Sequence, residues 1–135
     1  MLMTATACLT AAIFFEARDQ STFAQQMVAQ VIMNRVEHPS FPNDVCSVVY
    51  EPRQFSFTHD GLSDDPSKYS TYHDTLAAER ASQVAQMFIQ GGNLGSSSTH
   101  YHTEAVRPSW AKAYEVDGRA GAHIFYTCSR ELRNC

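Results

Sequence analysis

The chain lacks the excess of basic residues that nucleic-acid binding requires. It contains ten lysines and arginines against fourteen acidic residues, which gives a formal net charge of −4. Without a basic surface a protein cannot displace counterions from a phosphate backbone, so DNA and RNA are not expected partners. The same shortage of positive charge argues against a polybasic attachment to anionic lipid. Any polymer that binds must be held mainly by shape and hydrogen bonds.

Long apolar runs are also lacking. No stretch of about eighteen apolar residues occurs, so no membrane span is expected. Residues 1–15 are apolar but have no positively charged start and no convincing cleavage site, which predicts a first helix rather than a secretion signal. The 135 residues, 44% of them hydrophobic, fit one globular domain over 1–135, and we expect a monomer.

Several chemical motifs are missing as well. The sequence has no C-x-x-C pair, no H-E-x-x-H and no G-x-S-x-G, which removes the usual signals of a zinc ribbon, a zinc protease and a serine nucleophile. The four cysteines allow three pairings. Cys128 with Cys135 would close a small loop and leave Cys8 with Cys46, but free or buried thiols fit the sequence equally well. Cys46 lies in an apolar run that is typical of an unreactive thiol.

Apolar periodicity predicts a mostly helical chain with a small, antiparallel sheet, an α+β fold. The predicted helices cover residues 4–18, 22–37, 44–50, 71–90 and 108–114. The predicted strands cover residues 54–58, 98–103 and 123–126, with turns at Asp60-Gly61 and Asp117-Gly118. The predicted buried positions are Leu9, Ala12, Ile13, Ala17, Phe23, Met27, Val28, Val31, Ile32, Leu76, Ala77, Ala81, Val84, Ala85 and Phe88.

Glu16 is the strongest candidate for acid–base chemistry. It follows Phe14 and Phe15 at the end of the first predicted helix. Aromatic surroundings remove water from a carboxyl group and raise its pKa, and the negative end of the helix dipole acts in the same direction. A carboxyl group that stays protonated near neutral pH can donate a proton to a leaving oxygen. The alternative is a surface glutamate that ends the helix and pairs with Arg18.

A second cluster of candidates begins at His100. On a strand, His100 and His102 share one face and Tyr101 points to the other. The two histidines, together with Glu16, Asp60 or Glu104, could bind zinc, but no third ligand motif supports this, and we expect no metal and no other cofactor. Tyr101 and Trp110 are suited to stacking against sugar rings, although such residues also pack in cores.

A third group of candidates lies in the predicted strand at residues 54–58. Gln54, Ser56 and Thr58 would share one face, where they could bind sugar hydroxyl and acetamido groups or simply face water at a sheet edge, and Asp60 follows. Arg107 forms a structural salt bridge, orients its loop or meets a carboxylate of a ligand.

Eight segments that run across nearly the whole chain occur in an order that is typical of one family: 13–18 (IFFEAR), 28–36 (VAQVIMNRV), 41–50 (FPNDVCSVVY), 54–58 (QFSFT), 60–61 (DG), 99–102 (THYH), 106–110 (VRPSW) and 123–126 (HIFY). In these segments the chain resembles the SleB-type cell-wall hydrolases, the spore-cortex-lytic family. The resemblance implies a lysozyme-like, transglycosylase-related domain that cuts the glycan strands of peptidoglycan, with Glu16 as the catalytic glutamate.

The resemblance further implies lytic transglycosylase chemistry. One carboxyl group would protonate the glycosidic oxygen after N-acetylmuramic acid and then help the 6-hydroxyl close a 1,6-anhydro ring. A hydrolytic muramidase would need a second acid, for which Asp60 and Glu104 are the candidates. Asp19-Gln20 stands where the family usually has Gly-Glu, so a second glutamate is missing there.

Two rival functions and two origins fit the sequence. A zinc-dependent amidase would use His100 and His102, and a non-catalytic wall-binding module would not need Glu16. A catalytic domain without the usual peptidoglycan-binding module is typical of a phage endolysin or of a domain excised from a larger enzyme. The compartment in which the chain acts is left open.

Overall fold

The computed structural model of the chain describes residues 3–52, 54–128 and 135. The α-helices are α1 (Ala5–Ala17), α2 (Thr22–Glu37), α3 (Val45–Val49) and α4 (Tyr72–Ile89). The strands are β1 (His100–Thr103), β2 (Glu115–Ala120) and β3 (His123–Thr127), and short 3₁₀ helices lie at Ser56–His59, Pro66–Lys68 and Ser109–Lys112. The predicted α+β class, mostly helical with a small antiparallel sheet, is confirmed.

The four α-helices begin where short polar side chains can cap them. In each case the capping oxygen accepts a hydrogen bond from a backbone N–H of the first turn, which satisfies a group that the helix itself leaves unpaired. The capping residues are Thr4, Ser21, Asp44 and Thr71. The predicted bounds of α2 are confirmed, and those of α1 and α4 differ by one residue at each end.

Helix α1 lies at the centre of the helical layer and is apolar on nearly every side. Its buried residues are Cys8, Leu9, Ala11, Ala12, Ile13, Phe14 and Ala17. A helix that is hydrophobic all round is stable only when other elements surround it, and α2, α3 and α4 all pack against this one. Because α1 is enclosed, the position of its last turn is fixed relative to the rest of the fold.

The predicted buried positions are confirmed except for two. Phe23 is 53% exposed and Leu76 is 42% exposed. Phe23 lies in the first turn of α2, where it borders a small hollow beside Met27 and Phe125 instead of entering the core. The buried stripe of α4 is centred on Ala77, Ala81, Val84, Ala85 and Phe88. Leu76 is a neighbour of this stripe in sequence but faces away from it.

The three strands form one antiparallel sheet in the order β1-β3-β2. Strands β2 and β3 are joined by the two residues Gly121 and Ala122, and Gly121 has φ of 60°, a conformation that favours glycine. The predicted turn at Asp117-Gly118 is wrong, because both residues lie within β2. Gly118 stands at an irregularity in the pairing with β3 and has φ of 153°. Glycine is favoured both in β-bulges and in turns, so an Asp-Gly pair in the sequence does not distinguish the two structures.

The predicted strand at residues 54–58 is also wrong. This segment enters the 3₁₀ helix Ser56–His59, in which the Thr58 N–H and hydroxyl both donate to the Phe55 carbonyl, at 3.2 and 2.7 Å. Phe55 and Phe57 are buried, 3% and 5% exposed, so burial alternates along the segment. Alternating burial does not require a strand when no neighbouring strand is present to pair with the segment.

All four cysteines are paired in the structure. Cys8 bonds to Cys46 and Cys128 to Cys135, which resolves the choice between free thiols and disulfides that the sequence left open. The first bond connects α1 to α3. Cys46 therefore has no free thiol to act as a nucleophile. None of the described helices is both long and apolar enough to cross a membrane.

Candidate active site

Glu16 lies in the last turn of α1, which neighbouring elements hold in place. The side chain of Gln25 on α2 donates from Nε2 to the carbonyl of Ala17 at 3.1 Å, so an oxygen that the helix leaves unpaired is satisfied inside the protein. Arg18 forms an ion pair with Asp74 on α4 at 2.9 Å. Arg18 is therefore committed to α4, and the alternative in which it pairs with Glu16 is not what the structure shows.

The partner of Glu16 is Tyr101 on β1. The Tyr101 hydroxyl donates to Glu16 Oε1 at 2.6 Å, across 85 positions of the sequence. The Tyr101 ring packs against both the helical core and a smaller apolar cluster between α2 and the sheet. It also contacts His123 and Phe125, with ring centroids 5.0 and 5.5 Å away. This packing fixes the hydroxyl and leaves one Glu16 oxygen, Oε2, outside the bond.

Two effects act on the pKa of Glu16 in opposite directions. Burial raises it above the ordinary value of 4.5, and the hydrogen bond from Tyr101 lowers it by stabilising the charged form. Burial is the larger effect, so the pKa of Glu16 is raised, as the sequence predicted. The pKa of Tyr101 is raised well above its ordinary value by burial and by the neighbouring carboxyl group, so its hydroxyl remains a donor.

Glu16 opens into a cavity of about 510 Å³ between α1, the segment that follows α3, and the sheet. The residues that line it are Glu16, Arg35, Gln54, Phe55, His100, Tyr101, His102, Val106, Pro108, Trp110, Tyr114 and Cys135. Six of the predicted site residues are thus brought together: Glu16, Gln54, His100, Tyr101, His102 and Trp110. Glu16 supplies the only side-chain carboxyl group among the described residues of this lining.

His100 forms part of an aromatic wall. Its ring lies 4.9 Å from Trp110 and 4.8 Å from Tyr114, and the Trp110 and Tyr114 rings stack on each other at 5.5 Å. Burial, assisted by the positive charges of Arg35 and His38, lowers the pKa of His100 to about 4. The imidazole is therefore neutral near pH 7, and this wall presents uncharged ring surface to the cavity.

His102 has both ring nitrogens engaged. Its Nδ1 lies 2.7 Å from the carbonyl of Thr103, to which it donates, and its Nε2 accepts from the Tyr126 hydroxyl at 2.8 Å. A nitrogen that is already hydrogen-bonded in this way is poorly placed to bind an ion. Within residues 3–52, 54–128 and 135, the group close enough to share a metal ion is His38 with Cys128 and Cys135, whose sulfurs form a disulfide. The zinc interpretation of the histidine pair therefore has no geometric support.

A row of polar side chains on α2 holds the wall of the cavity. Asn34 donates from Nδ2 to the carbonyls of Ser96 and Ser98, at 2.9 and 2.8 Å. Arg35 is 5% exposed and donates from Nε to the Thr99 carbonyl at 2.7 Å. Its Nη1 donates to Gln54 Oε1, also at 2.7 Å, which orients the Gln54 amide beside the cavity. The row therefore positions β1 and Gln54 at the same time.

Four predicted site residues lie outside this cavity. Ser56 is exposed, and the Thr58 hydroxyl is bonded to the Phe55 carbonyl. Asp60 accepts from the Leu62 N–H at 2.9 Å and closes a surface turn. Arg107 lines a separate, adjoining hollow. A strand would have placed Ser56 and Thr58 on one face with Gln54, and the 3₁₀ helix removes that alignment.

Arg35 and Tyr114 are among the lining residues that sequence reasoning did not place in the site. Arg35 makes structural bonds, and it also borders the cavity. A signal for it exists: a charged residue within the apolar run 28–36 of a buried helix must have internal partners. A signal also exists for Tyr114, which lies four residues after Trp110 in the predicted helix 108–114, a spacing that makes two side chains neighbours.

The sequence of residues 19–126 matches the Cell Wall Hydrolase family. This chain belongs to that family. The match begins just after Glu16, so it establishes the cell wall hydrolase domain without testing the role of that residue.

Curated relatives of this cell wall hydrolase are spore cortex-lytic enzymes. The one from Bacillus subtilis (strain 168) is 42% identical over 118 residues, which cover 87% of this chain and 35% of the relative. The one from Halalkalibacterium halodurans is 32% identical over 115 residues, which cover 84% of this chain and 32% of the relative. The chain thus spans about a third of the length of these relatives.

Solved structures with the same fold are catalytic domains of SleB. The catalytic domain of the germination-specific lytic transglycosylase SleB from Bacillus anthracis superposes with a TM-score of 0.74 at 26% identity, covering 94% of this chain and 97% of that one. The catalytic domain of Bacillus cereus SleB gives a TM-score of 0.72 at 27% identity, covering 94% and 93%. The cell wall hydrolase described here therefore has the SleB catalytic-domain fold, as the sequence blocks predicted.

Proposed function

We propose that this chain is a peptidoglycan lytic transglycosylase in which Glu16 serves as the single acid–base group. The observation that carries the proposal is the carboxyl group itself: half-buried, with a raised pKa, bonded to Tyr101 and facing a cavity with one oxygen outside that bond. The described lining contains no second side-chain carboxyl group. The structural relative from Bacillus anthracis, which is named a lytic transglycosylase, supports the same chemistry.

The proposed reaction has two proton transfers at Glu16. The protonated carboxyl group donates to the glycosidic oxygen between N-acetylmuramic acid and N-acetylglucosamine as the bond from that oxygen to C1 of muramic acid breaks. The resulting carboxylate then takes the proton of the muramic acid 6-hydroxyl, whose oxygen bonds to C1. The product is a 1,6-anhydro ring, no water is consumed, and Glu16 ends protonated as it began.

The other lining residues have positioning roles in this proposal. Tyr101 holds the carboxyl group in one orientation through its hydrogen bond. Trp110 and Tyr114 offer ring faces on which a sugar can stack, since aromatic surface packs well against the apolar C–H faces of a pyranose. Gln54, oriented by Arg35, can hydrogen-bond an acetamido or hydroxyl group. A hydrolytic muramidase would need a second carboxyl group near the bond, and Asp60 and Glu104 both lie outside the cavity.

Mass spectrometry of digested peptidoglycan tests the proposal. The parent protein is expected to release anhydro-muropeptides, and Glu16→Gln is expected to lower the rate by about 10²- to 10⁴-fold, the usual contribution of a general acid. The matched control is Glu79→Gln, which makes the same change at an exposed site on α4. Circular dichroism checks that both variants are folded.

Three outcomes would contradict the proposal. Products that end in reducing muramic acid would indicate a muramidase, and free peptide stems would indicate an amidase, which EDTA would inhibit if it were zinc-dependent. A full rate in Glu16→Gln would remove Glu16 from the mechanism. The endolysin interpretation stays a further prediction: residues 1–135 alone would clear a suspension of bacterial walls, as turbidity measures.

A further inference from the structure

A second hollow, of about 940 Å³, adjoins the cavity that contains Glu16. The two share His102, Val106 and Pro108 in their linings, so they form neighbouring parts of one surface depression. The remaining residues of the second hollow are Glu104, Arg107, Ser109, Ala111, Lys112, Arg119, Ile124 and Tyr126. A polymer that crosses the Glu16 cavity therefore meets this hollow next.

The charge of this hollow is opposite to that of the chain as a whole. The chain has a formal net charge of −4, yet three of its ten basic residues, Arg107, Lys112 and Arg119, line the hollow with one acidic residue, Glu104. Such a local concentration of positive charge in an acidic protein favours a negatively charged ligand at this place.

Two of these cations have no ion-pair partner within the described part of the chain. Arg119 forms an ion pair with Glu104, and both are well exposed. Arg107 and Lys112 are exposed and form no ion pair with any other residue that the structure describes. The sequence allowed Arg107 either a structural salt bridge or a substrate carboxylate, and the structure contains no such salt bridge among the described residues. Arg107 and Lys112 are thus available for an external anion.

We infer that this hollow binds the carboxylates of the peptide stem attached to muramic acid, through Arg107 and Lys112. The inference rests on the proposed function, because it requires a glycan strand in the Glu16 cavity. A peptide stem is attached through the lactyl group of muramic acid and carries several carboxylates. A strand that retains its stems therefore presents an acidic peptide to the adjoining surface when it is held at Glu16. Stems would then contribute to substrate affinity, and the chain would prefer strands that retain them.

The test compares the parent with Arg107→Gln/Lys112→Gln on soluble, uncrosslinked glycan strands. One batch keeps its stem carboxylates, and a second has them converted to amides with carbodiimide and ammonium chloride. On the native strands the double variant is expected to show about a fivefold higher KM, the effect of losing two exposed ion pairs. Its kcat should change little, because the contact is the same in the ground state and the transition state.

Amidation provides the matched arm. It should raise the KM of the parent by about the same factor. In the double variant, the difference in KM between native and amidated strands should be smaller than in the parent. Salt at 0.5 M should also reduce this difference in KM for the parent, since exposed charges are screened. Arg80→Gln, which removes one positive charge at an exposed position of α4, is the control and should leave the difference in KM as in the parent.

Several results would overturn the inference. Equal KM values for parent and double variant on native strands would remove Arg107 and Lys112 from binding. A second result would come from strands whose stems an amidase has removed, so that only the lactyl carboxylate is left. If the double substitution raises KM on these strands as much as on native strands, the hollow binds the lactyl carboxylate instead. Failure of the proposed function looks different, because the parent would then release no anhydro-muropeptides from either batch.

Discussion

At the scale of single residues, the proposed chemistry depends on two opposing effects on the pKa of Glu16. Burial favours the neutral acid, while the Tyr101 hydrogen bond favours the carboxylate and thereby limits the rise in pKa. A group that acts first as an acid and then as a base must exist in its protonated and its ionised form during one turnover. A moderately raised pKa suits this better than the large rise that full burial would cause. His100, neutral near pH 7, adds no nearby positive charge that would favour the carboxylate.

Tyr101→Phe should shift the pH dependence of cleavage in a defined direction. The first proton transfer needs protonated Glu16, so activity is expected to fall as pH rises through the pKa of that group. Removing the Tyr101 hydroxyl removes the effect that lowers this pKa, and the decline should therefore move to higher pH. Profiles of kcat/KM against pH measure the shift, because they report the free enzyme.

The control for this prediction is Tyr72→Phe, at a tyrosine that is 75% exposed on α4. It should leave the profile in place. A decline that stays where it is in the parent, or moves to lower pH, would show that the Tyr101 hydrogen bond does not set the pKa of the catalytic group.

At the scale of elements, the α2 row formed by Gln30, Asn34 and Arg35 connects the helical layer to the sheet. Gln30 donates from Nε2 to Asn34 Oδ1 at 2.9 Å and accepts from the Leu94 N–H at 2.6 Å. Asn34 and Arg35 continue the row to the carbonyls of residues 96, 98 and 99. The strand that carries Tyr101 begins at the end of this segment, so α2 places the tyrosine opposite Glu16.

Asn34→Ala should destabilise the protein by about 1–3 kcal/mol, because it leaves the carbonyls of Ser96 and Ser98 without donors inside the protein. Ser98 is fully buried, so water cannot easily replace the lost bond. Denaturant unfolding followed by circular dichroism measures the change. The cleavage rate should fall as well, since Tyr101 would be held less firmly.

Gln86→Ala is the matched control for Asn34→Ala. Gln86 also hydrogen-bonds through its amide, to Ser82, but on the exposed side of α4. Its loss should cost less than about 0.5 kcal/mol, as is usual for surface substitutions. Equal effects of the two variants would show that the α2 row does not connect the two layers.

At the scale of the whole molecule, the two ends of α1 have separate tasks. Near its start the Cys8–Cys46 disulfide joins α1 to α3, and at its end Glu16 faces the cavity. The bond closes a loop of 38 residues, whereas Cys128–Cys135 closes one of only seven. A longer closed loop restricts the unfolded chain more strongly, so the first bond is expected to contribute more to stability.

Replacing both Cys8 and Cys46 by alanine should lower the free energy of unfolding by about 2–4 kcal/mol while leaving kcat close to that of the folded parent. The turn that carries Glu16 is held separately, by Gln25 and by the ion pair of Arg18 with Asp74. Thermal unfolding and cleavage assays below the transition measure the two effects. A loss of kcat in the folded variant would show that the disulfide also positions Glu16.

The features that the sequence predicted are those that neighbouring residues determine. The bounds of α2 followed from local signals: a capping serine, an apolar stripe and the His38-Pro39 pair that ends the helix. Strand alternation correctly placed His100 and His102 on one face of β1 and Tyr101 on the other. The predictions of a strand at 54–58 and of a turn at 117–118 were wrong, because an alternating pattern and a glycine are each compatible with two local structures. Only the presence or absence of a pairing strand distinguishes them.

The sequence by itself determined which groups are available: one glutamate at the end of an apolar helix, a strand with alternating polar and aromatic residues, and cysteines that can pair. Tertiary structure decided which of them meet. Tyr101 reaches Glu16 across 85 positions, Arg35 reaches Gln54 from another element, and Arg107 is left without an ion-pair partner among the described residues. The pKa of Glu16 is also decided by the tertiary structure, because desolvation depends on everything packed around the carboxyl group and not on its sequence neighbours alone.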